Sequence, residues 1–255
     1  MGTEVMGLDS ACPKFSRNMG SLSAIDGQLL DGLDFCRTVY DLFDEVKRGP
    51  DGTRRLRLRQ SQADKRLVEE LLPLAVYIQT RYRAGTRISV RWESGSQPYD
   101  AILCFNGSSV VHDGAPRKLY AEVTTSVHPR DYLVRERVHL KGGSFGPRGT
   151  YRGGKDIVSN PCVYNGFEIL RDFAAQILRR LDDKARKSYP AETVLVISCI
   201  PPHGLVLENE WETVIKELRI ANPNIPFREV FLVDRSMSYT ATLYGNREQP
   251  PQVHV

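Results

Sequence analysis

Two carboxylates stand where carboxylates are uncommon. Asp100 opens the stretch Pro98-Tyr99-Asp100-Ala101-Ile102-Leu103-Cys104-Phe105, and Glu122 lies mid-way in Lys118-Leu119-Tyr120-Ala121-Glu122-Val123-Thr124-Thr125-Ser126. Both stretches read as short apolar strands. Acids are depleted in strands and are rarely buried unless they are paired or bind a metal. If the two strands pair, the carboxylates lie side by side on one face. Oxygen-only ligands suit Mg²⁺ or Mn²⁺, which keep several of their waters. Such an ion activates water and stabilises the charge on a cleaved phosphodiester. The other reading is structural: an ion pair with Arg87, Arg91 or Lys118 across the sheet.

Other chemistries have weaker support. The five histidines, His112, His128, His139, His203 and His254, have no HxH or HExxH spacing, which argues against zinc. There is no GxSxG elbow. The five cysteines, Cys12, Cys36, Cys104, Cys162 and Cys199, include no CxxC pair and suggest neither a zinc knuckle nor a disulfide framework. A reducing, cytoplasmic setting fits them best. The 255 residues can bury a real core, and 41% hydrophobic with 26% charged residues is ordinary for a globular chain. A net charge of +4 permits a nucleic-acid partner without requiring one. No apolar run approaches the roughly 20 residues of a membrane span. No signal-peptide h-region is evident, and Met6 occupies the place where a myristoylation signal wants Ser or Thr.

The elements that would position the acids follow from periodicity. Residues 1–33 read as a flexible arm, 34–245 as one α/β domain and 246–255 as a flexible tail. Phe35, Val39, Leu42, Phe43 and Val46 have helical spacing. Arg54-Arg55-Leu56-Arg57-Leu58-Arg59 alternates and predicts a short strand with one basic face. Ser61 to Arg81 predicts a helix that Pro73 kinks or divides. Arg87–Trp92 is a strand, followed by a turn and then the two acidic strands, with Asp113-Gly114 as hairpin chemistry between them. Residues 127–164 are irregular, and Tyr132–Leu140 reads as a short helix or an extended arm. Lys141–Lys155 is rich in glycine, basic and dotted with aromatics. It is either a mobile loop or a nucleic-acid-contacting one, through Lys141, Arg148, Arg152 and Lys155; it lacks the P-loop pattern.

Asn165 starts the clearest helix, with Leu170, Phe173, Ala174, Ile177, Leu178 and Leu181 on one face. The other face carries Arg171, Arg179, Arg180, Asp182, Lys184, Arg186 and Lys187. Thr193–Ile200 is a continuous apolar run, a strand buried on both faces. Pro201–Gly204 reads as a turn, Glu208–Ile220 as a helix, Glu229–Asp234 as a strand and Ser238–Tyr244 as an edge strand. An antiparallel start followed by a strand–helix–strand crossover predicts a central mixed β-sheet flanked by helices.

These elements and acids resemble the PD-(D/E)xK nuclease superfamily, with its restriction-endonuclease-like core. There, a helix, three meandering strands, a helix and a strand carry an Asp at the second strand and an (Asp/Glu)-x-Lys on the third. Pro98-Tyr99-Asp100 stands for the first half of that motif and Glu122-Val123-Thr124 for the second, within a core of about residues 64–200. The resemblance implies a Mg²⁺- or Mn²⁺-dependent nuclease with Asp100 and Glu122 on the metal, the Val123 carbonyl as a further ligand, and an extra acid, Glu69 or Glu70, from the first core helix. Solvated helix acids are the competing reading for the last two. The family's lysine falls at Thr124, whose hydroxyl cannot supply the charge. Either the lysine has moved, with Lys184, Lys187, Lys141 and Lys155 as candidates, or the site binds without cutting. Arg179, Arg180, Lys184 and Lys187, together with the 141–155 loop, would hold a nucleic-acid backbone. The alternative is a catalytically inactive nuclease-like protein that binds nucleic acid, a protein partner or a second copy of itself. Fold alone does not choose between them.

Overall fold

The computed structural model describes residues 22–108, 117–163, 165–201, 207–221 and 225–244. Among these, nine strands are β1 (Leu29–Asp31), β2 (Arg87–Trp92), β3 (Ala101–Asn106), β4 (Lys118–Ser126), β5 (Thr150–Gly153), β6 (Asp156–Ser159), β7 (Thr193–Cys199), β8 (Glu229–Asp234) and β9 (Thr240–Tyr244). The helices are α1 (Gly32–Arg48), α2 (Gly52–Leu58), α3 (Gln62–Arg66), α4 (Leu72–Arg81), α5 (Asp131–Lys141), α6 (Gly166–Ala185) and α7 (Glu208–Ala221). A π-helical turn, Leu67–Leu71, joins α3 to α4.

Seven strands form one mixed sheet in the order β1-β2-β3-β4-β7-β8-β9. Strands β1 to β4 are antiparallel neighbours, β4, β7 and β8 run parallel, and β9 returns antiparallel. The expected α/β architecture, a central mixed sheet with helices on both faces, is what the chain adopts.

Two cores flank the sheet, and β7 shows why. Val194 and Val196 point into a core with α1 and α4, through Phe35, Val39, Leu74 and Ile78. Leu195, Ile197 and Cys199 point into the opposite core with α6 and α7, through Phe173, Ile177, Leu181, Trp211 and Leu218. A strand read as apolar on both sides is therefore covered on both sides. Helix α6 starts where Asn165 accepts a hydrogen bond from the Phe167 amide at 3.2 Å.

Several sequence expectations are corrected. Residues 22–31, assigned to a flexible arm, include a 3₁₀ turn and strand β1, which pairs with β2; Ile25 is buried. The Arg54–Arg59 stretch forms the body of helix α2 and, at Arg59, its left-handed C-cap, not a strand. Arg and Leu are good helix formers, and six alternating residues are too few to separate the two periods. Gly52 lets α2 fold against the end of α1, since a Cβ there would run into the Val46 and Lys47 carbonyls.

Pro73 does not end the 62–81 helical run, which divides at the π-helical turn and places Pro73 in the first turn of α4. It lacks an amide for the Glu69 carbonyl, and the chain widens just before it: the Leu72 amide bonds to the Leu67 carbonyl, one residue beyond α-helical reach. Residues 131–141 take the helical alternative. The glycine-rich segment is no plain loop. Its second half is the β5–β6 hairpin, turning at Gly154 with φ +64° and pinned by hydroxyl contacts among Ser144, Thr150 and Ser159.

The Asp113-Gly114 turn, the Pro202–Gly204 part of the next turn, residues 1–21 and the 246–255 tail lie outside the described residues. Among the described residues, no helix is long and apolar enough to cross a membrane.

Candidate active site

The β3–β4 register brings the two acids together. Ala101 pairs with Ala121, so one step outward Asp100 stands opposite Glu122. The Asp100 amide donates to the Ala121 carbonyl at 2.8 Å. Its carboxylate accepts the Val123 amide at 2.7 Å, just before β3 begins. Asp100 thus serves β4 as a local cap while presenting its remaining lone pairs at the end of the strand.

Glu122 is buried and paired, but not with the strand cations considered above. Arg91 binds Glu93 at 2.7 Å, and the Lys118 ammonium sits 4.8 Å from the centre of the Tyr120 ring. The partner of Glu122 is Lys184, whose Nζ meets Oε1 directly from the last turn of α6. Both side chains are almost wholly sequestered, at 11% and 13% exposed.

Strand alternation explains the choice. Glu122 and Thr124 pair with Leu195 and Ile197, whose side chains line the α6–α7 core, so both face α6. A lysine at position 124 would project from the strand onto this face; here the strand supplies the buried Thr124, and the helix packed across it supplies the cation.

Electrostatics mark the cluster as unusual. Burial first, then the adjacent Glu122 charge, push the Asp100 carboxyl up to about 7; the Val123 amide and Lys184 oppose the shift only in part. Glu70 contributes to it as well. The Glu70 carboxyl is itself raised by burial, with Glu69 and Glu122 adding repulsion against the pull of Arg66 and Lys65.

Of the two helix acids, Glu70 therefore shares its field with the pair. Glu69 is engaged elsewhere: it binds Arg59 at 3.1 Å and lies 3.9 Å from Arg135, which also meets Asp131 at 2.7 Å. Both acids sit in the π-helical turn, where adjacent side chains leave the helix in different directions and so meet different neighbours.

Tyr189, to which the sequence reading gives no role in the site, also belongs here. Its proton is held on by burial and by the Glu122 and Asp100 charges.

The donor set fits a hard divalent cation: three carboxylates in one field, all oxygen, with a buried ammonium beside them. The carboxylates of Asp100 and Glu122, with the Val123 carbonyl one residue on, would hold it, and Glu70 is better directed to it than Glu69. Among the described residues, no three His, Cys, Asp or Glu side chains converge to hold a metal ion, so the Asp100–Glu122 pair is the part of the set that could bind one. Mg²⁺ commonly binds through one or two carboxylates and keeps waters elsewhere.

The basic residues expected to hold nucleic acid are divided. Lys141 closes α5, Lys155 occupies the β5–β6 turn and Lys187 follows α6; all three are exposed. Arg148 pairs with Asp172 and Arg152 with Glu136 at 3.2 Å. Arg179 is exposed, with its Nε on the Ala175 carbonyl. Arg180 turns inward and donates to the Thr125 carbonyl at 3.0 Å. It thereby ties α6 to β4 three residues past Glu122.

No protein-family model, curated protein or solved structure matches this chain. The functional reading therefore rests on the chain's own geometry.

Proposed function

We propose that the chain is a divalent-metal-dependent nuclease of the PD-(D/E)xK type in which the motif lysine has moved from the strand to the following helix. One observation carries the reading. Asp100, Glu122 and the ammonium of Lys184 meet in one place, although Thr124 occupies the expected lysine position.

A Mg²⁺ or Mn²⁺ ion held there would supply charge stabilisation for the phosphodiester and a water of lowered pKa. The protein's own groups do the rest. Asp100, Glu122 and Glu70 provide hard oxygen ligands. Lys184 brings a positive charge to the reacting phosphate, where it can orient the attacking water. The buried setting strengthens both effects by excluding bulk solvent. Exposed Lys141, Lys155, Arg179 and Lys187 offer backbone contacts, which favour binding over sequence choice.

The test is cleavage of plasmid, single-stranded DNA and RNA by the full chain with Mg²⁺ or Mn²⁺. Cleavage should vanish in Asp100→Ala and Glu122→Ala, and fall about 100-fold or more in Lys184→Met, the scale of losing one charge-stabilising donor. Cleavage that survives Asp100→Ala and Glu122→Ala would come from somewhere else and refute the proposal.

A second reading has its own support. Because Lys184 already neutralises Glu122, the pair is satisfied by the chain's own groups, as in a binding protein without turnover. Nucleic-acid binding that weakens steeply with salt, with no cleavage under any divalent ion, would favour this version. Absence of both would leave a protein partner.

A further inference from the structure

The segment between α6 and β7 carries a group that no part of the proposed motif assigns. Five residues after Lys184, the chain has turned through Ser188-Tyr189-Pro190 toward the start of β7. The turn is held there: Thr193 Oγ1 donates to the Pro190 carbonyl at 2.7 Å, and the Tyr120 amide donates to the Glu192 carbonyl at 3.2 Å. The Tyr189 ring packs against Phe227, with ring centroids 5.2 Å apart. That packing fixes the ring on a turn that the Tyr120 amide ties to β4.

The hydroxyl oxygen is buried and makes no hydrogen bond of full geometry, while the Glu122 carboxylate lies close enough to act on it as an acceptor. A buried tyrosine hydroxyl nearly always finds a full hydrogen bond, because without one it loses its water and gains nothing in return. The charged group that dominates its surroundings is Glu122, followed by Asp100. Lys184 takes Oε1 of Glu122, so the carboxylate has further acceptor capacity beside an idle donor.

We propose that Tyr189 is a positioning residue of this site: with Lys184 it forms a two-donor clamp on Glu122 and so sets how well the Asp100–Glu122 pair binds a divalent cation. Lys184 supplies charge and Tyr189 supplies direction. A phenol on a packed ring has one rotatable O–H, whereas an ammonium on a four-carbon stem can follow the carboxylate wherever it swings. When a cation competes with Lys184 for Glu122, the tyrosine is the donor that keeps the carboxylate aimed. This inference rests on the metal-site reading, and its test separates the two.

The probe is Mn²⁺ alone, titrated into the full chain by electron paramagnetic resonance. Tyr189→Phe retains the ring and its contact with Phe227, so the fold should be kept, as a denaturant melt verifies. The expected result is Mn²⁺ binding weakened about 10- to 100-fold, the usual effect of removing a hydrogen-bond partner of a ligating carboxylate. Native-like Mn²⁺ affinity in Tyr189→Phe, with binding lost in Asp100→Ala, would overturn the clamp and leave the metal site standing.

If the native chain binds no Mn²⁺, the metal reading and the clamp's role in cation binding both fail. The contact itself is then read by the ¹³Cζ resonance of Tyr189. A shift on Glu122→Gln, with no shift on Glu93→Gln, keeps the Tyr189–Glu122 hydrogen bond, and an unmoved resonance removes that as well.

Discussion

The chemistry of Asp100 is displaced far from that of an ordinary carboxylate by its surroundings. Its carboxyl is pushed up to about 7 by burial and by the Glu122 charge. In an unfolded chain it would titrate near the ordinary value of about 3.9. Below that value both states hold the proton, and the folded state is not penalised. Between about 4 and 7 the folded chain keeps the proton while the unfolded chain gives it up, so stability falls as pH rises through this window. Above about 7 both states are ionised, and the full penalty remains. Asp100→Asn can still accept the Val123 amide, yet it carries no charge. It should gain on the order of 2 kcal/mol over the native chain at pH 8, after allowing for partial solvent screening, and nothing at pH 3.5. Paired denaturant melts at the two pH values measure this. A difference that does not change with pH would mean that Asp100 titrates normally. Residues whose local environment disfavours their charged form mark functional sites more often than structural ones, and this one stands across from a second acid.

At the scale of elements, the neighbours of the 67–71 turn separate two acids that the sequence leaves equivalent. Glu69 neutralises Arg59, whose side chain is only 8% exposed and is crowded by Arg135. Glu70 lies in the field of Asp100 and Glu122. Substituting each should therefore have opposite consequences. Glu69→Gln leaves a buried guanidinium without its counter-charge and should cost about 3 kcal/mol in stability, with Mn²⁺ affinity little changed. Glu70→Gln removes repulsion and should leave stability within about 1 kcal/mol of native, while Mn²⁺ binding falls about tenfold. Denaturant melts and Mn²⁺ titrations of both variants decide it, and the reverse pattern would move the extra acid back to Glu69.

Long periodic elements were readable from sequence: α6, β2, β4 and β8 fall where hydrophobic spacing puts them. Asp100 and Glu122 were also readable, because acids among strand residues stand out. What sequence could not resolve is set by tertiary contacts. Helix α2 looks like a strand over six residues, β1 acquires its conformation only by pairing with β2, and the choice of Lys184 over Lys187 depends on the helix phase relative to β4. Tyr189 gave no local signal, since its role depends on a turn that folds over β4.

For the molecule as a whole, the seven-stranded sheet buries its catalytic candidates between layers and leaves a different set of cations outside. Arg148 and Arg152 are already paired with Asp172 and Glu136, and Arg180 is committed to the β4 backbone. Lys141, Lys155 and Lys187 are exposed at the end of α5, in the hairpin turn and just past α6. If they meet phosphates, each contact releases counterions, and the logarithm of the binding constant falls with the logarithm of salt by about 0.9 per contact on duplex DNA, or about 0.7 on single strands. Replacing all three by alanine should then reduce the salt slope by about 2 to 3 and weaken binding on every sequence alike, while folding and Mn²⁺ affinity stay native. Binding isotherms on one duplex and one single strand, each at four salt concentrations, give the slopes directly. An unchanged slope would remove these lysines from the interface. A slope that falls on only one of the two substrates would identify the strandedness the basic surface is built to hold, because the same charges can follow a backbone only where its phosphates are spaced to meet them.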